Sequence, residues 1–327
     1  MKTMTKTKTM KAMVITDFGS TNVLKSQEMP VPKPQGKELL VKVHATSVNP
    51  VDCKIRKGMF GPIIKTPAIL GFDVSGVVEA IGDKVTDFKV GDEVYYLPRI
   101  IGWQGAYAEY HLVEEAIVSK KPSNLSHTEA ASIPLAASTA WDALVERAKV
   151  KIGETVLIHA GAGGVGSLAI QLAKLCGAYV FATCSDYNFD LVKEIGADKI
   201  INYKKENFIE IIKEETNGEG VDVVFDTVGG EVLTKSIDIT KPFGRISSIV
   251  RTGTEGINLE KAYLQNISLH CVFVQSGRHK LDTIRNLIEQ EQLKPVIDSV
   301  MLLSDVAKAH KKLEQGGTRG KIVLSVV

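Results

Sequence analysis

The sequence predicts an α/β protein of two domains, one an antiparallel, barrel-like β domain and the other a doubly wound parallel sheet. Three observations predict it. The chain has 327 residues, 44% of them hydrophobic, which is more than one typical core absorbs. Its first third is a series of short strand patterns interrupted by glycine and proline. Its middle alternates apolar strand runs with helical periodicity, the pattern of strands buried on both faces and joined by helical crossovers.

From Lys11 to about Pro122, strand patterns at 39–43, 74–81 and 93–96 lie between turn residues. After Leu125 an alanine-rich helical stretch over 129–147 leads into the alternation. There the pattern gives a strand at 155–160, a helix at 164–176, a strand at 179–183, a helix at 190–195, and strands at 221–227, 244–249 and 269–274. Helices near 281–290 and 304–314 and a strand at 321–326 close the chain, and periodicity alone names no packing partner for them.

Composition excludes several functions. Lys and Arg number 40 against 38 Asp and Glu, a net charge of +2, with both signs interspersed, so neither nucleic acid nor a membrane surface is an expected partner. No apolar run approaches the roughly 18–20 residues of a spanning helix. The N-terminal MKTMTKTKTM alternates Lys and Thr without an apolar run, so it reads as neither secretory signal nor anchor and is expected to be weakly ordered. The four cysteines, Cys53, Cys176, Cys184 and Cys271, include no CxxC pair, which argues against a disulfide framework or a structural zinc site and for a reducing, cytoplasmic setting.

The most informative segment is Thr155-Val-Leu-Ile-His-Ala-Gly161-Ala-Gly163-Gly164-Val165-Gly166. An apolar strand runs into Gly-x-Gly-x-x-Gly and an amphipathic helix follows, the setting of a dinucleotide-binding loop. Gly161 allows the tight turn, Gly163 lets the backbone approach a pyrophosphate, and Gly166 lets helix and strand pack closely. The helix N-terminus offers N–H groups to the anion. The next strand ends on small neutral residues up to Ser185, where NAD enzymes place a carboxylate for the ribose hydroxyls. Ser185 could donate to a 2′-phosphate, whereas Asp186 and Asp190 would oppose one if turned inward; otherwise they simply begin the next helix. On balance NADP(H) is the expected cofactor.

Five blocks, in this order, carry a family resemblance that covers nearly the whole chain from Ala12. They are Ser47-Val-Asn49-Pro-Val-Asp52-Cys-Lys54, Pro67-Ala-Ile-Leu-Gly71-Phe-Asp73, Val90-Gly-Asp-Glu-Val, Gly105-Ala-Tyr-Ala-Glu-Tyr and the glycine loop. The chain resembles the zinc-free quinone oxidoreductase branch of the medium-chain dehydrogenase/reductases, and within it the enone oxidoreductases and chloroplast-envelope quinone oxidoreductase-like proteins. The resemblance implies a GroES-like catalytic domain from both chain ends, 11–124 and 275–327, and an inserted Rossmann NADP-binding domain, 125–274. It also implies an active site in the cleft between the domains, a homodimer, and a small enone, enal or quinone as substrate.

Zinc-dependent relatives carry Cys where this chain has Asn49 and His-Glu where it has Phe72-Asp73, so no metal is expected. Cys53 next to Lys54 reads as a packing residue. By the same resemblance Lys54 is the catalytic donor and also touches the cofactor, with Asn49 beside the nicotinamide ribose and Asp52 fixing the local turn. Thr139 contacts the nicotinamide end, Tyr203 packs on the adenosine phosphate side, and Val250, Phe273 and Val274 wall the nicotinamide. Gly317 and Thr318 edge the pocket. One departure is Asn188, where relatives often carry a lysine for the 2′-phosphate. Without a Lewis acid to stabilise an alkoxide, hydride delivery to a conjugated C=C or a quinone is the expected chemistry, since a few hydrogen-bond donors suffice at the distant oxygen. A crystallin-like or RNA-associated NADPH-binding protein with little turnover is the alternative.

Overall fold

The computed structural model describes residues 8–250 and 259–326. The first seven residues of the Lys/Thr stretch, whose order the sequence addressed, lie outside the described residues. In chain order the first segment carries β1 (Thr9–Ile15), β2 (Leu24–Pro30), β3 (Glu38–Val48), α1 (Pro50–Arg56), β4 (Ala68–Ile69), β5 (Val74–Ile81), β6 (Glu93–Tyr96), β7 (Tyr110–Glu114) and β8 (Val118–Lys120). The strand patterns at 39–43, 74–81 and 93–96 are strands, the first being the middle of the longer β3. Alternation explains why: Val41, Val43 and Ala45 of β3 are fully buried while Lys42 and His44 between them are not.

The expected continuous helix over 129–147 is instead three pieces. They are α2 (His127–Ala130), α3 (Pro134–Trp141) and a π-helical turn, Asp142–Arg147. Pro134 is the physical reason for the first break, because it has no N–H to donate and disfavours helix at the residue before it, so it can only begin a new helix. Next come β9 (Thr155–Ile158), α4 (Gly164–Leu175), β10 (Tyr179–Cys184), α5 (Phe189–Glu194), β11 (Lys199–Asn202), α6 (Phe208–Glu215), β12 (Val221–Asp226), α7 (Glu231–Ser236), β13 (Thr240–Ser248), α8 (Leu259–Leu264) and β14 (Ser268–Cys271). The chain closes with α9 (Arg278–Glu289), β15 (Ile297–Leu302), α10 (Val306–Gln315) and β16 (Lys321–Ser325).

Two compact units result. One contains the chain up to Leu135 together with Ser276–Glu289 and Ile297 onward, and the other is Ala136–Gln275 with Gln290–Val296. In the first unit the strand order is β15-β16-β3-β5-β6-β8, with β7 also on β3 and a separate β2-β1-β4 sheet. β3 is the hub. It pairs antiparallel with β7 over Glu38–Lys42, with β5 over Leu39–Ala45 and with β16 over Ala45–Val48. Register shifts at Leu40/Val41 and Val43/Ala45 bend β3, as bulges do, so that its two halves serve different partners. The closing strand of the chain thus packs against β3, which puts Lys321 beside Asn49.

In the second unit the described strands form a parallel sheet of order β11-β10-β9-β12-β13-β14. The order reverses at β9, so the crevice beyond the carboxyl ends of β9 and β12 is the topological switch point, where ligands bind in such sheets. Val156, Leu157, Ile158, Val223, Val224 and Phe225 on the two central strands are fully buried. The segment Gln290–Val296 joins this unit, with Gln171 of α4 bonded to both backbone groups of Lys294.

Gly71, in the turn before β5, has φ of +97°, and a Cβ there would lie 2.3 Å from the Tyr107 ring. Gly71→Ala therefore combines left-handed backbone strain with overpacking, together about 2–4 kcal/mol. The expected result is a clearly lowered unfolding midpoint in denaturant with an unchanged m-value; a midpoint equal to wild type would show that the turn relaxes freely.

Candidate dinucleotide site and its polar centre

The glycine loop follows β9 at the switch point. Gly161 N donates to Thr183 O (2.8 Å), tying the loop to β10, and Tyr203 N reaches Cys184 O (3.3 Å), tying β11 to the same edge. Because the strands are parallel, the loop, Ser185, Asn188 and Tyr203 all lie at one carboxyl edge. Val250 and the Phe273-Val274 pair follow β13 and β14 on that edge. Phe273 and Gln275 also line a shallow cavity of about 260 Å³ with Asp142, Arg147 and Val272.

The loop fits a pyrophosphate. Gly163 caps α4 with an ordinary φ of −76°, and a Cβ there would meet only Ala160 O, at 3.3 Å. The protein's own packing there asks Ala160 O to give by only a few tenths of an ångström, so a side chain at Gly163 would intrude mainly on the space open to an approaching anion. At Gly166 the reverse holds, since a Cβ would sit 2.3 Å from Ala160 O. Ala160 itself has φ of +52°, a conformation costing about 1–2 kcal/mol outside glycine, and such strain gathers at ligand sites. Its N–H is held by Thr183 Oγ1 at 3.1 Å. Beneath it, buried His159 bridges Thr183 Oγ1 (3.3 Å) and Ser236 Oγ (3.0 Å), and burial pushes its imidazole down to about 4. His159 is therefore a neutral tie under the loop, a role that sequence reasoning missed because an apolar strand hid it.

At the ribose end, Asp186 points to Lys205, with 2.7 Å between charges, and this hydrogen bond holds its carboxyl below the ordinary range. The Lys204 ammonium lies 6.0 Å from the centroid of the exposed Tyr203 ring. Asn188 donates to Ser185 Oγ (3.3 Å), and its buried Oδ1 has no partner among the described residues.

In the barrel unit Lys54 sits half-buried on α1, and Thr139 is buried on α3 in the other unit. Gly317, with φ of +77°, and Thr318 lie in the turn entering β16. Asn49 caps α1: its N–H donates to Asp52 Oδ2 (2.7 Å), while Asp52 Oδ1 accepts from Gly71 N (3.0 Å), so Asp52 does fix the local turn. Burial pushes the Asp52 carboxyl up to about 7, opposed by those two N–H groups and by Lys321. Cys53 contacts His310 Nδ1 at 3.4 Å, and burial pushes its thiol up to about 12, which removes it as a nucleophile. Arg56 is buried against Glu314.

The centre of this unit joins Asn49 and Asp73, both singled out in the sequence, to Lys321, which the sequence did not flag. Asp73, fully buried, receives Ser47 Oγ, Asn49 Nδ2 (2.8 Å) and Lys321 Nζ (3.1 Å) on Oδ2, and Leu135 N (2.6 Å) on Oδ1. Lys321 Nζ also donates to Asn49 Oδ1 and approaches Val48 O at 3.5 Å. The one available signal was a lysine heading an otherwise apolar strand, and strand-end lysines usually face water.

Fold and loop together define a two-domain, dinucleotide-binding oxidoreductase. Residues 35–123 match the alcohol dehydrogenase GroES-like domain and residues 195–324 the zinc-binding dehydrogenase model. Quinone oxidoreductase of Homo sapiens is 33% identical over 325 residues, covering 97% of this chain and 98% of its own. The 2-methylene-furan-3-one reductase of Solanum lycopersicum is 38% identical over 330 residues, covering 96% and 79%. The crystal structure of an NAD-dependent alcohol dehydrogenase superposes with a TM-score of 0.92 at 34% identity, covering 97% of this chain and 100% of that one. The chain belongs to the medium-chain dehydrogenase/reductase family of pyridine-nucleotide-dependent oxidoreductases.

The zinc named in one of those family descriptions does not fit the residues present. At the positions where the resemblance puts zinc ligands, Phe72 offers no donor, and Asn49 Oδ1 and Asp73 Oδ2 are taken by the Lys321 ammonium. Among the described residues no group of three or more His, Cys, Asp or Glu could hold a metal ion. No described helix is long and apolar enough to cross a membrane.

The contrast between two glycines gives a test. Gly163→Val should fold normally yet bind dinucleotide at least about tenfold more weakly, whereas Gly166→Val should lower the melting temperature first. Calorimetry paired with fluorescence titration separates the two, and unchanged affinity in folded Gly163→Val would remove the loop from the site.

Proposed function

We propose that this protein is an NADPH-dependent reductase of α,β-unsaturated carbonyl compounds or quinones that works without zinc. The observation that supports the reading is the set of residues at the positions where the resemblance puts the zinc ligands of metal-dependent relatives: Phe72 has no donor atom, and Asn49 Oδ1 and Asp73 Oδ2 accept from Lys321. Reduction of an alcohol's carbonyl partner would call for that Lewis acid; a conjugated acceptor spreads the incoming charge onto a distant oxygen, and hydrogen-bond donors suffice there. The named activities of the human and tomato relatives support the same substrate class.

Bound NADPH supplies the hydride. The chain's residues would hold and orient it: the N–H groups of Gly164 to Gly166 at the start of α4 would take the pyrophosphate, and Val250, Phe273 and Val274 would flank the nicotinamide with Thr139. Lys54 donates to the substrate oxygen as charge develops there. Its removal should lower kcat on the order of 10²-fold, about 2.7 kcal/mol, with little change in NADPH affinity. Steady-state rates of Lys54→Met with a good enone decide this; kcat and kcat/KM both within twofold of wild type would return Lys54 to a structural role.

For the cofactor, the support is that Asp186 is taken up by Lys205, which leaves the Ser185 hydroxyl, Tyr203 and Lys204 around the ribose end. NADPH should bind more tightly than NADH, and Ser185→Asp should reverse the order by setting a carboxylate against the 2′-phosphate. Titration of both cofactors tests it, and equal or tighter NADH binding by wild type would sink the assignment.

A further inference from the structure

Lys321 is 6% exposed, an unusual position for an ammonium, and all of its hydrogen-bonding capacity is used inside the barrel. It is the cation in contact with a fully buried carboxylate, and a buried charge of that kind needs a partner of opposite sign. It also decides how Asn49 points. With Oδ1 on the ammonium and Nδ2 on the Asp73 carboxylate, flipping the amide would set donor against donor and acceptor against acceptor. Asn49 is joined to α1 through its own backbone, its N–H donating to Asp52 Oδ2 and its carbonyl accepting from Asp52 N, and Lys54 follows within that helix. A chain of short contacts therefore runs from the head of β16 to the start of the helix bearing the proposed donor.

We propose that Lys321 is the resident cation of this centre, the ammonium that compensates the buried Asp73 carboxylate, and that by holding Asp73 and Asn49 it positions α1 and Lys54. The second half rests on Lys54 being the donor; the first half stands without it. Lys321 is a positioning residue, and its effect on turnover passes through Asn49 and α1.

The test is a double-mutant cycle in the full-length protein, using Lys321→Met, Asp73→Asn and both together. Each single change leaves a buried charge or polar partner uncompensated and should lower the melting temperature by on the order of 10 °C; the double variant removes both charges and should recover at least half of that loss. Additive losses would overturn the charge pairing, whether or not the single variants are well folded at room temperature. The folded double variant has lost what oriented Asn49, so its kcat with an enone should fall about tenfold or more while its NADPH Kd stays within about threefold. If Lys54→Met is strongly impaired but the double variant turns over at the wild-type rate, the positioning half is wrong. If Lys54→Met is itself unimpaired, the donor reading and the positioning half fail together and the resident cation is judged on the melting cycle alone. Wild-type protein incubated with Zn²⁺ and desalted should retain only substoichiometric zinc, and one equivalent bound per chain would overturn the resident cation.

Discussion

The barrel unit is organised around one buried carboxylate. Asp73 gathers donors from Ser47 and Asn49 on the β3–α1 segment, from Leu135 at the start of α3 and from Lys321 at the head of β16. These residues come from segments far apart in the chain, and none would satisfy the carboxylate alone. Burying the group is costly unless all of them arrive, so the polar centre constrains strand pairing as strictly as the apolar core around it. The pairing of β16 with the end of β3 brings Lys321 to Asn49, and the turn at Gly71 brings Asp52 and Asp73 to the same place.

The second unit answers a different constraint. A parallel sheet places every strand's carboxyl end on one edge, so residues more than 100 positions apart, from Gly161 to Val274, share that edge without any of them needing to contact another directly. Local strain is concentrated where the anion would sit. Ala160 keeps a left-handed backbone because Thr183 holds its N–H and the Gly166 backbone packs on its carbonyl, while Gly163 leaves open the space that a side chain would fill. The cost of the strained turn is offset by two glycines with opposite roles, one closing the protein against itself and one leaving it open to a ligand.

Chemistry follows from the contrast between these centres. The dinucleotide edge is built from backbone groups and small side chains, which suits an anionic cofactor bound and released in each cycle. The polar centre of the barrel is built from charged side chains already compensated within the chain.

Much of this was legible in the sequence, for reasons that differ by residue. The glycine loop could be read because its spacing within a strand-loop-helix pattern is local, and the strands at 74–81 and 93–96 because alternation is local too. The motif blocks around Asn49, Asp73 and the loop were enough to indicate the family. Pro134 is a local break that an alanine-rich run concealed, so the helix over 129–147 was read as continuous. What only the tertiary structure decided was non-local: that β16 lies against β3, that Asp186 turns to Lys205, that Arg56 is buried on Glu314, and that Lys321 is inside the barrel with Asp73 and Asn49. A residue's periodicity and chemistry are local, but whether a charge is solvated or buried depends on partners 19 to more than 250 positions away, and that is settled only when the chain closes on itself.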